Sequence, residues 1–424
     1  MALLESKIFF KNADRMSKIK IKNFGPIKEG FLENNGWIDI SKVTLFIGNQ
    51  GSGKSTVAKV FSTLTWMEKS LNRGDIEIAK LNLNTFYTFF EYQRIKNYFR
   101  EDTVIEYVGD SRNISYNNKS LAFPIDKSLK TSKFNVPKIM YVPAERNFLS
   151  VVKNAYGIKN LPDTLYTFAE ELRKGQFELN GELLQLPISE LKYKYNHDNE
   201  TSYIVGENFE LDLLESSSGF QSFVPLYLVT KFLTDELKKG EKVSREQLSV
   251  DQSVRRNKEI ADVMFKTNFS EQEKSRKVIE IDSKYLNTCF INIIEEPEQN
   301  LFPVSQKQML FSLLEFNGLN DGNKLVMTTH SPYLINYLTL AVKVDTLKEK
   351  VKTDKSRNKL QKIVPFSSTV NPNELAIYQF DEKRGTIEKL ESYNGLPSDE
   401  NSLNENLGES NELFAQLLEI QQRS

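Results

Sequence analysis

The sequence is poor in cysteine and has no long apolar run. A single cysteine, Cys289, excludes an internal disulfide and a zinc site made of cysteines. No apolar stretch approaches the roughly 18 residues that cross a membrane. The net charge of −1, with 27 % charged residues, gives no overall attraction to nucleic acid, so any basic surface must be local. These absences predict a soluble, cytoplasmic protein with no membrane partner.

What the sequence does contain is a glycine-rich stretch directly after an apolar run at 43–47. Apolar residues recur at helical spacing after the stretch, so it lies between a predicted strand and an amphipathic helix. A chance glycine-rich turn is the alternative, and the flanking pattern disfavours it. The stretch follows the pattern G-x-x-x-x-G-K-S and consists of Gly48, Asn49, Gln50, Gly51, Ser52, Gly53, Lys54, Ser55 and Thr56.

Such a stretch predicts a P-loop, in which backbone amides surround phosphates and the positive end of a helix dipole faces them. Lys54 would reach the β- and γ-phosphates, and the hydroxyl of Ser55 would bind Mg²⁺. The predicted cofactors are therefore ATP and Mg²⁺.

A second apolar run, at 289–294, ends in Glu295, Glu296, Pro297 and Glu298. Paired carboxylates at the end of a strand, on a chain with a P-loop, suit two tasks. One orders Mg²⁺ and its waters, and the other activates the attacking water. A solvated acidic loop is the less favoured alternative.

Two further predicted strands also end in polar residues. The run at 324–329 ends at His330, which could hydrogen-bond a γ-phosphate or its attacking water. Alone this histidine would be interpreted as structural, but with the motifs above the functional interpretation is favoured. The run at 138–142 ends in the polar cluster 143–147, and the carboxyl ends of strands in an open α/β sheet are where ligands bind.

Three other segments carry weaker signals. A serine- and glycine-rich stretch at 215–222 opens an apolar helix, where it could cap the helix or bind an anion. The aromatic-rich stretch 86–99 could stack on nucleic-acid bases, although packing in the core is favoured. Residues 235–284 are strongly charged and poor in apolar side chains, which predicts a helical insertion.

Together these motifs resemble the ABC-type ATPases of the SMC, Rad50 and RecF class, and most of all the ATPase module of the OLD nucleases. The similarity extends from about Lys18 to Phe380. Within this class the chain is most similar to the ATPase subunits of two-component anti-phage systems such as PARIS. The matching segments are 21–26, the P-loop, 143–147, 217–221, 294–298 and 328–332.

The resemblance implies an α/β fold, an ABC-type P-loop ATPase with an antiparallel N-terminal sheet. The ATPase core would comprise 1–234 and 285–390, with the helical insertion at 235–284 and an acidic C-terminal tail at 391–424.

The resemblance also implies roles for individual residues. Glu296 would be the catalytic base, Glu295 the acid on the magnesium side, and His330 the switch histidine. The signature motif, which contacts the γ-phosphate held by another copy, would include Ser218, Gly219 and Gln221. Two residues depart from the pattern of the class: Phe220 replaces a glycine found in transporters, and Glu295 replaces the usual aspartate. The second departure is expected to loosen the metal geometry and slow turnover.

The function implied is a slow ATPase that acts as the sensor or scaffold subunit of an anti-phage complex. OLD nucleases carry a TOPRIM nuclease domain after the ATPase, and the segment after Phe380 is too short to hold one. The expected partners are a second copy of the chain, a separate TOPRIM-type nuclease, and a phage protein or DNA as the trigger. The alternative is a DNA-repair ATPase that clamps DNA directly. The absence of long heptad repeats favours the first.

A basic segment from Lys343 to Lys362 is predicted to loop out near the ATP interface. A solvated loop is the favoured interpretation, and a docking surface for a phosphate backbone or an acidic protein is the alternative.

Overall fold

The structure is a computed structural model, and it describes residues 17–124, 134–152, 157–239 and 248–423. Its strands are β1 Ser17–Phe24, β2 Gly30–Phe31, β3 Ile38–Ile40, β4 Val43–Gly48, β5 Phe99–Val108, β6 Asn113–Asn117, β7 Ser120–Ala122, β8 Pro137–Val142, β9 Leu184–Gln185, β10 Lys192–Asn196, β11 Thr201–Val205, β12 Glu210–Asp212, β13 Cys289–Glu295, β14 Lys324–Thr329, β15 Leu375–Asp381, β16 Thr386–Lys389, β17 Ser392–Tyr393 and β18 Leu396–Pro397. Its helices are α1 Lys54–Arg73, α2 Leu83–Glu91, α3 Phe148–Val151, α4 Asp163–Glu178, α5 Ser218–Lys239, α6 Val250–Met264, α7 Glu271–Ser283, α8 Pro303–Gly318, α9 Pro332–Lys348, α10 Asp354–Ile363 and α11 Ser402–Arg423.

A seven-stranded sheet of order β2-β16-β15-β4-β14-β13-β8 forms the centre of the fold. Within it β4 pairs in parallel with β14 and β15, and β13 pairs in parallel with β14 and β8. Every residue of β4 and β13 is buried, as expected for parallel strands that are covered on both faces. Leu45 and Ile47 pack into the core formed with α5, α8 and α9, whereas Phe46 packs into the core formed with α1. The predicted α/β fold is confirmed.

The parallel arrangement brings the predicted site residues to one edge of this sheet. Gly48 ends β4, Glu295 ends β13 and Thr329 ends β14. Since the carboxyl ends of parallel neighbours lie side by side, the P-loop, the acidic run and His330 meet at the same edge.

The N-terminal antiparallel sheet is also present, with five strands in the order β3-β1-β5-β6-β7. Residues of β1 alternate between buried and partly exposed, which gives the sheet one wet face. The other face packs on α1 and α2, where the rings of Phe86 and Tyr116 stack at 5.5 Å and those of Phe90 and Phe99 meet edge to face at 4.9 Å. The core interpretation of the aromatic stretch is confirmed.

The charged segment forms two helices, α6 and α7, over the part that the structure describes. Each begins with a capping box, in which a serine hydroxyl and the side chain three residues later satisfy each other's backbone amides. Arg256 on α6 pairs with Asp282 on α7 at 2.7 Å, and Arg255 pairs with Asp75 just after α1. The segment therefore docks on the end of α1.

The expectation that Lys343 to Lys362 loops out is wrong. The segment is mostly helical, because α9 continues to Lys348 and α10 begins after Thr353, whose hydroxyl accepts from the backbone amide of Ser356 at 3.3 Å. Lys348 is also paired with Asp345 at 2.7 Å, which neutralises part of the positive charge of the segment.

The acidic tail contains the helix α11. None of the described helices is long and apolar enough to cross a membrane.

Candidate nucleotide site

The P-loop connects β4 to α1 through glycines in left-handed backbone conformations. Gly48 has φ 140° and Gly53 has φ 101°. A Cβ at Gly48 would lie 2.6 Å from the carbonyl oxygen of Phe380, and one at Gly53 would lie 2.5 Å from Cδ1 of Ile27. Only glycine fits at these two positions, and the loop rests directly on β15 and on the first turn of the N-terminal sheet.

Lys54 is the first residue of α1 and is buried beneath the loop. Its Nζ donates to the carbonyl oxygens of Gly48 at 2.8 Å and Asn49 at 2.7 Å. Burial lowers the pKa of Lys54 to about 8, although Glu296 opposes this shift, so the side chain is still mostly protonated at neutral pH. The cation that the motif requires is in place.

The remaining residues of the motif differ in exposure. Asn49, Gln50 and Gly51 are exposed, Ser55 is partly exposed, and Ser52 and Thr56 are buried. The side chain of Asn49 donates to Glu382 at 3.2 Å, which ties the loop to the end of β15. Of the two adjacent hydroxyl residues, Ser55 is therefore the one more open to a ligand.

A chain of contacts joins the P-loop to the acidic run through His330. Lys54 Nζ lies 3.4 Å from His330 Nδ1, and His330 Nε2 lies 3.2 Å from Oε1 of Glu296. An ammonium group can only donate, so Nδ1 accepts and the ring proton is assigned to Nε2, which donates to Glu296. This hydrogen bond is the main reason that the pKa of Glu296 is below its ordinary value. The three side chains predicted to act together are in contact.

Glu296 also has an unusual backbone conformation. Its φ is 43°, a left-handed value that costs a residue other than glycine about 1 kcal/mol or more. Two hydrogen bonds hold it: its amide donates to the carbonyl of Thr328 at 2.9 Å, and its carbonyl accepts from Arg146 Nη2 at 2.6 Å. This turn sets the direction in which the Glu296 carboxylate leaves the strand.

Arg146 lies in the polar cluster 143–147, but the sequence analysis did not single it out. It is fully buried, and among the described residues its guanidinium donates only to main-chain carbonyls: Pro143 at 3.2 Å, Ser222 at 3.1 Å, Glu295 at 2.7 Å and Glu296. Burial lowers its pKa to about 10, and the nearby carboxylates oppose this shift. Arg146 therefore connects the end of β8, the acidic run and the first turn of α5. The only signal in the sequence is the position of Arg146 in the polar cluster that follows the predicted strand at 138–142.

Glu295 lies against α1. Its carboxylate accepts from the hydroxyl of Tyr141 and from the amide of Ala144 at 3.3 Å, and it lies 3.8 Å from Nζ of Lys59. Lys59 is four residues after Ser55, hence on the same face of α1. The described residues contain no cluster of three or more metal-binding side chains. One hydroxyl and one carboxylate suit Mg²⁺ that is held largely by phosphates and water. The metal role of Ser55 and Glu295 remains a prediction.

Glu298 is half-buried, and it supports the histidine rather than facing a ligand. Its Oε1 accepts from the hydroxyl of Thr329 at 2.6 Å and from the amide of His330 at 2.9 Å. Burial raises the pKa of Glu298 above its ordinary value. This third acid of the run therefore fixes the position of the His330 backbone.

The signature residues lie at the start of α5. Ser218 is exposed, whereas a Cβ at Gly219 would lie 2.9 Å from the carbonyl oxygen of Asn300. The side-chain Nε2 of Gln221 donates to the main-chain carbonyls of Leu214 at 2.8 Å and Ser216 at 3.1 Å. Ser218 is thus presented outward, Gly219 fits closely against the loop after the acidic run, and Gln221 holds the preceding turn.

No family model and no curated protein matches the chain. Among solved structures, it is similar to the SMC head domain from Thermotoga maritima, with 11 % identity and a TM-score of 0.36 over 89 % of this chain and 99 % of that one. It is also similar to an SMC head bound to the C-terminal winged-helix domain of ScpA, with 10 % identity and a TM-score of 0.33 over 88 % and 95 %. A third is a dimeric ATP-binding cassette in a post-hydrolysis state bound to ADP and Pi, with 10 % identity and a TM-score of 0.28 over 89 % and 100 %.

Similarities of this size carry no argument about function. The mostly parallel central sheet, the P-loop that follows β4 and the residues gathered at the sheet edge define an α/β fold of the P-loop type.

Proposed function

We propose that the chain is an ATPase that binds ATP and Mg²⁺ and hydrolyses the nucleotide slowly. The observation that carries this proposal is the continuous contact from Lys54 through His330 to Glu296 at the edge of the sheet. A cation for phosphates, an orienting histidine and an ionised carboxylate are the groups that phosphoryl transfer to water requires.

Each residue has a specific task in this proposal. The amides of the loop and Lys54 hold the phosphates, while Ser55 and Glu295 hold Mg²⁺, which supplies neutralisation of phosphate charge when bound. Glu296 accepts a proton from water, and His330 orients Glu296. Because a carboxylate with a lowered pKa is a weaker base, slow turnover is expected.

The active assembly in this proposal is a pair of chains. The sequence has one P-loop and one signature motif, and Ser218 is exposed at the start of α5. A symmetric pair places the signature of each copy over the P-loop of the other and so completes two sites.

We further propose that the ATPase is the sensor or scaffold subunit of an anti-phage complex and controls a separate TOPRIM-type nuclease. The sequence resemblance supports this role, with the core at 1–234 and 285–390 and the tail at 391–424. The insertion also supports this role over that of a DNA clamp. Its helices α6 and α7 have 15 and 13 residues and are far shorter than the coiled coils of DNA clamps.

The test uses the purified full-length chain and the Glu296→Gln variant. We expect ATP-dependent pairing on size-exclusion chromatography, slow release of phosphate by the unmodified chain, and Mg²⁺-dependent DNA cleavage only in fractions that contain a copurified second protein. Absence of ATP binding would contradict the ATPase proposal. Tight, ATP-dependent binding of DNA by the chain alone would instead favour the DNA-repair clamp.

A further inference from the structure

A cavity of about 360 Å³ lies where the insertion meets the core, away from the nucleotide site. Its walls come from the C-terminal turns of α1, the loop between β5 and β6, the segment before β8, and α7. The lining side chains with polar or charged groups are Lys69, Asn72, Arg73, Ser111, Arg112, Lys277, Glu280, Ser283 and Lys284.

The lining is predominantly cationic. Arg73 and Lys284 have carboxylate partners: Nε of Arg73 lies 2.6 Å from Asp75, and Nζ of Lys284 lies 2.8 Å from Glu259. Lys69, Arg112 and Lys277 have no carboxylate within 4.0 Å among the residues that the structure describes. The single acid of the lining, Glu280, is exposed. Three basic side chains therefore line one cavity without a carboxylate partner.

Lys69 shows the effect of this environment. Its Nζ donates to the carbonyl of Pro137 at 2.6 Å and to the side-chain oxygen of Asn287 at 2.8 Å, and both acceptors are neutral. Removal from water lowers the pKa of Lys69 to about 7, and the neighbouring Arg73 lowers it further. An ammonium group that is enclosed without a carboxylate is unfavourable unless an anion lies nearby.

Arg112 provides a separate observation. Its Nε donates to Asn72 at 2.7 Å, but its Nη1 is buried and has no hydrogen-bond partner in the described structure. Buried guanidinium nitrogens are normally satisfied, so an unpaired one indicates a missing acceptor. Desolvation also lowers the pKa of Arg112.

We propose that this cavity binds a phosphate-bearing small molecule. One anion would supply the acceptor that Arg112 Nη1 lacks and the counter-charge that Lys69 and Lys277 lack. The volume lies within the range of ligand pockets, about 300 to 1,000 Å³.

The cavity is well placed to influence the nucleotide site. Helix α1 begins at Lys54 in the P-loop and reaches the cavity with its last turns, while α7 of the insertion forms the opposite wall. A ligand here contacts both the P-loop helix and the insertion. The proposal is independent of the ATPase activity proposed above.

The test measures binding of inorganic pyrophosphate and of AMP by titration calorimetry to the full-length Lys54→Ala variant, in which the P-loop cation is absent. We expect at least one of the two to bind. Adding Lys277→Gln or Arg112→Met should weaken that binding at least tenfold. Binding of pyrophosphate alone would indicate a free polyphosphate ligand, and tighter binding of AMP would indicate a nucleotide.

The chain offers a matched control. Lys266 and Lys277 both lie over the ring of Phe269, at 5.4 and 5.0 Å, but only Lys277 lines the cavity. Lys266→Gln should therefore leave the affinity unchanged. The proposal is overturned if neither probe binds, or if Lys266→Gln and Lys277→Gln have the same effect, with circular dichroism establishing that each variant is folded.

Discussion

Arg146 donates a hydrogen bond from Nη2 to the main-chain carbonyl oxygen of Glu296 at 2.6 Å. The same guanidinium donates from Nε to the carbonyl of Ser222 in α5 at 3.1 Å. Arg146 therefore connects the first turn of α5 to the left-handed turn that directs the Glu296 carboxylate. Arg146 contacts no reacting group, so it is a positioning residue.

Replacing Arg146 tests this arrangement. For Arg146→Ala we expect kcat to fall by about 10²-fold, the effect of misplacing a reactive group by about 1 Å, while the affinity for ATP changes little. Guanidinium ion at millimolar concentration should restore part of kcat to this variant. The same ion should not rescue Glu296→Gln, which serves as the control. Equal losses in ATP affinity and kcat, without rescue, would reduce Arg146 to a role in folding.

Glu296→Gln should bind ATP but hydrolyse it about 10²-fold more slowly or worse, because the amide keeps the shape of the side chain and cannot take a proton from water. Single-turnover phosphate release measures this. Glu298→Gln is the comparison, since the Glu298 carboxylate is bonded to Thr329 and His330. Turnover like that of the unmodified chain in Glu296→Gln would move the base to another residue.

Lys54→Ala should abolish ATP binding and leave the fold intact, because the side chain bonds only to the loop and to His330. Equilibrium binding of labelled ATP measures the loss. Lys359→Ala, which removes an exposed lysine of α10, is the control and should bind normally. Undiminished affinity in Lys54→Ala would refute the P-loop assignment.

The contrast between what the sequence predicts and what it misses has a physical basis. The P-loop, the acidic run and His330 are local patterns at strand ends, and parallel pairing necessarily brings such ends together. Arg146 is different, because three of its four acceptors belong to residues 76 and about 150 positions away in the sequence. These acceptors are main-chain carbonyls, which every residue has, so no residue type in the sequence indicates them. The helical 354–363 segment was missed because its charges suggested a solvated loop.

The assignment of the signature motif in trans is tested by mixing two inactive variants. Lys54→Ala and Ser218→Arg chains should together recover part of the ATPase activity, since one site of a mixed pair carries both lesions and the other carries neither. Gly219→Ala should also lack ATPase activity, but for another reason: its Cβ would lie against the carbonyl oxygen of Asn300 in the loop after Glu296 and displace that loop. No recovery despite proven mixing would argue that the motif acts within one chain or only caps α5.

The last prediction concerns the pH dependence of stability. Lys69 has a pKa of about 7 in the folded chain and an ordinary value of 10.5 when unfolded. Between these values the unfolded state binds more protons, so Lys69 makes the free energy of unfolding rise with pH, by at most about 1.4 kcal/mol per pH unit. Below pH 7 the residue is protonated in both states and adds no slope.

Lys69→Met should remove this rise while nearly keeping the side-chain volume. Urea unfolding at pH 7, 8 and 9 measures it, and the difference between the two proteins isolates Lys69 from Lys54, whose pKa of about 8 contributes a similar trend to both. Lys266→Met should retain the slope of the unmodified chain. Parallel stability curves for Lys69→Met and the unmodified chain would show that the Lys69 ammonium is not destabilised by burial. Addition of pyrophosphate to the Lys54→Ala variant should flatten its slope, because an anion beside Lys69 returns its pKa toward the ordinary value.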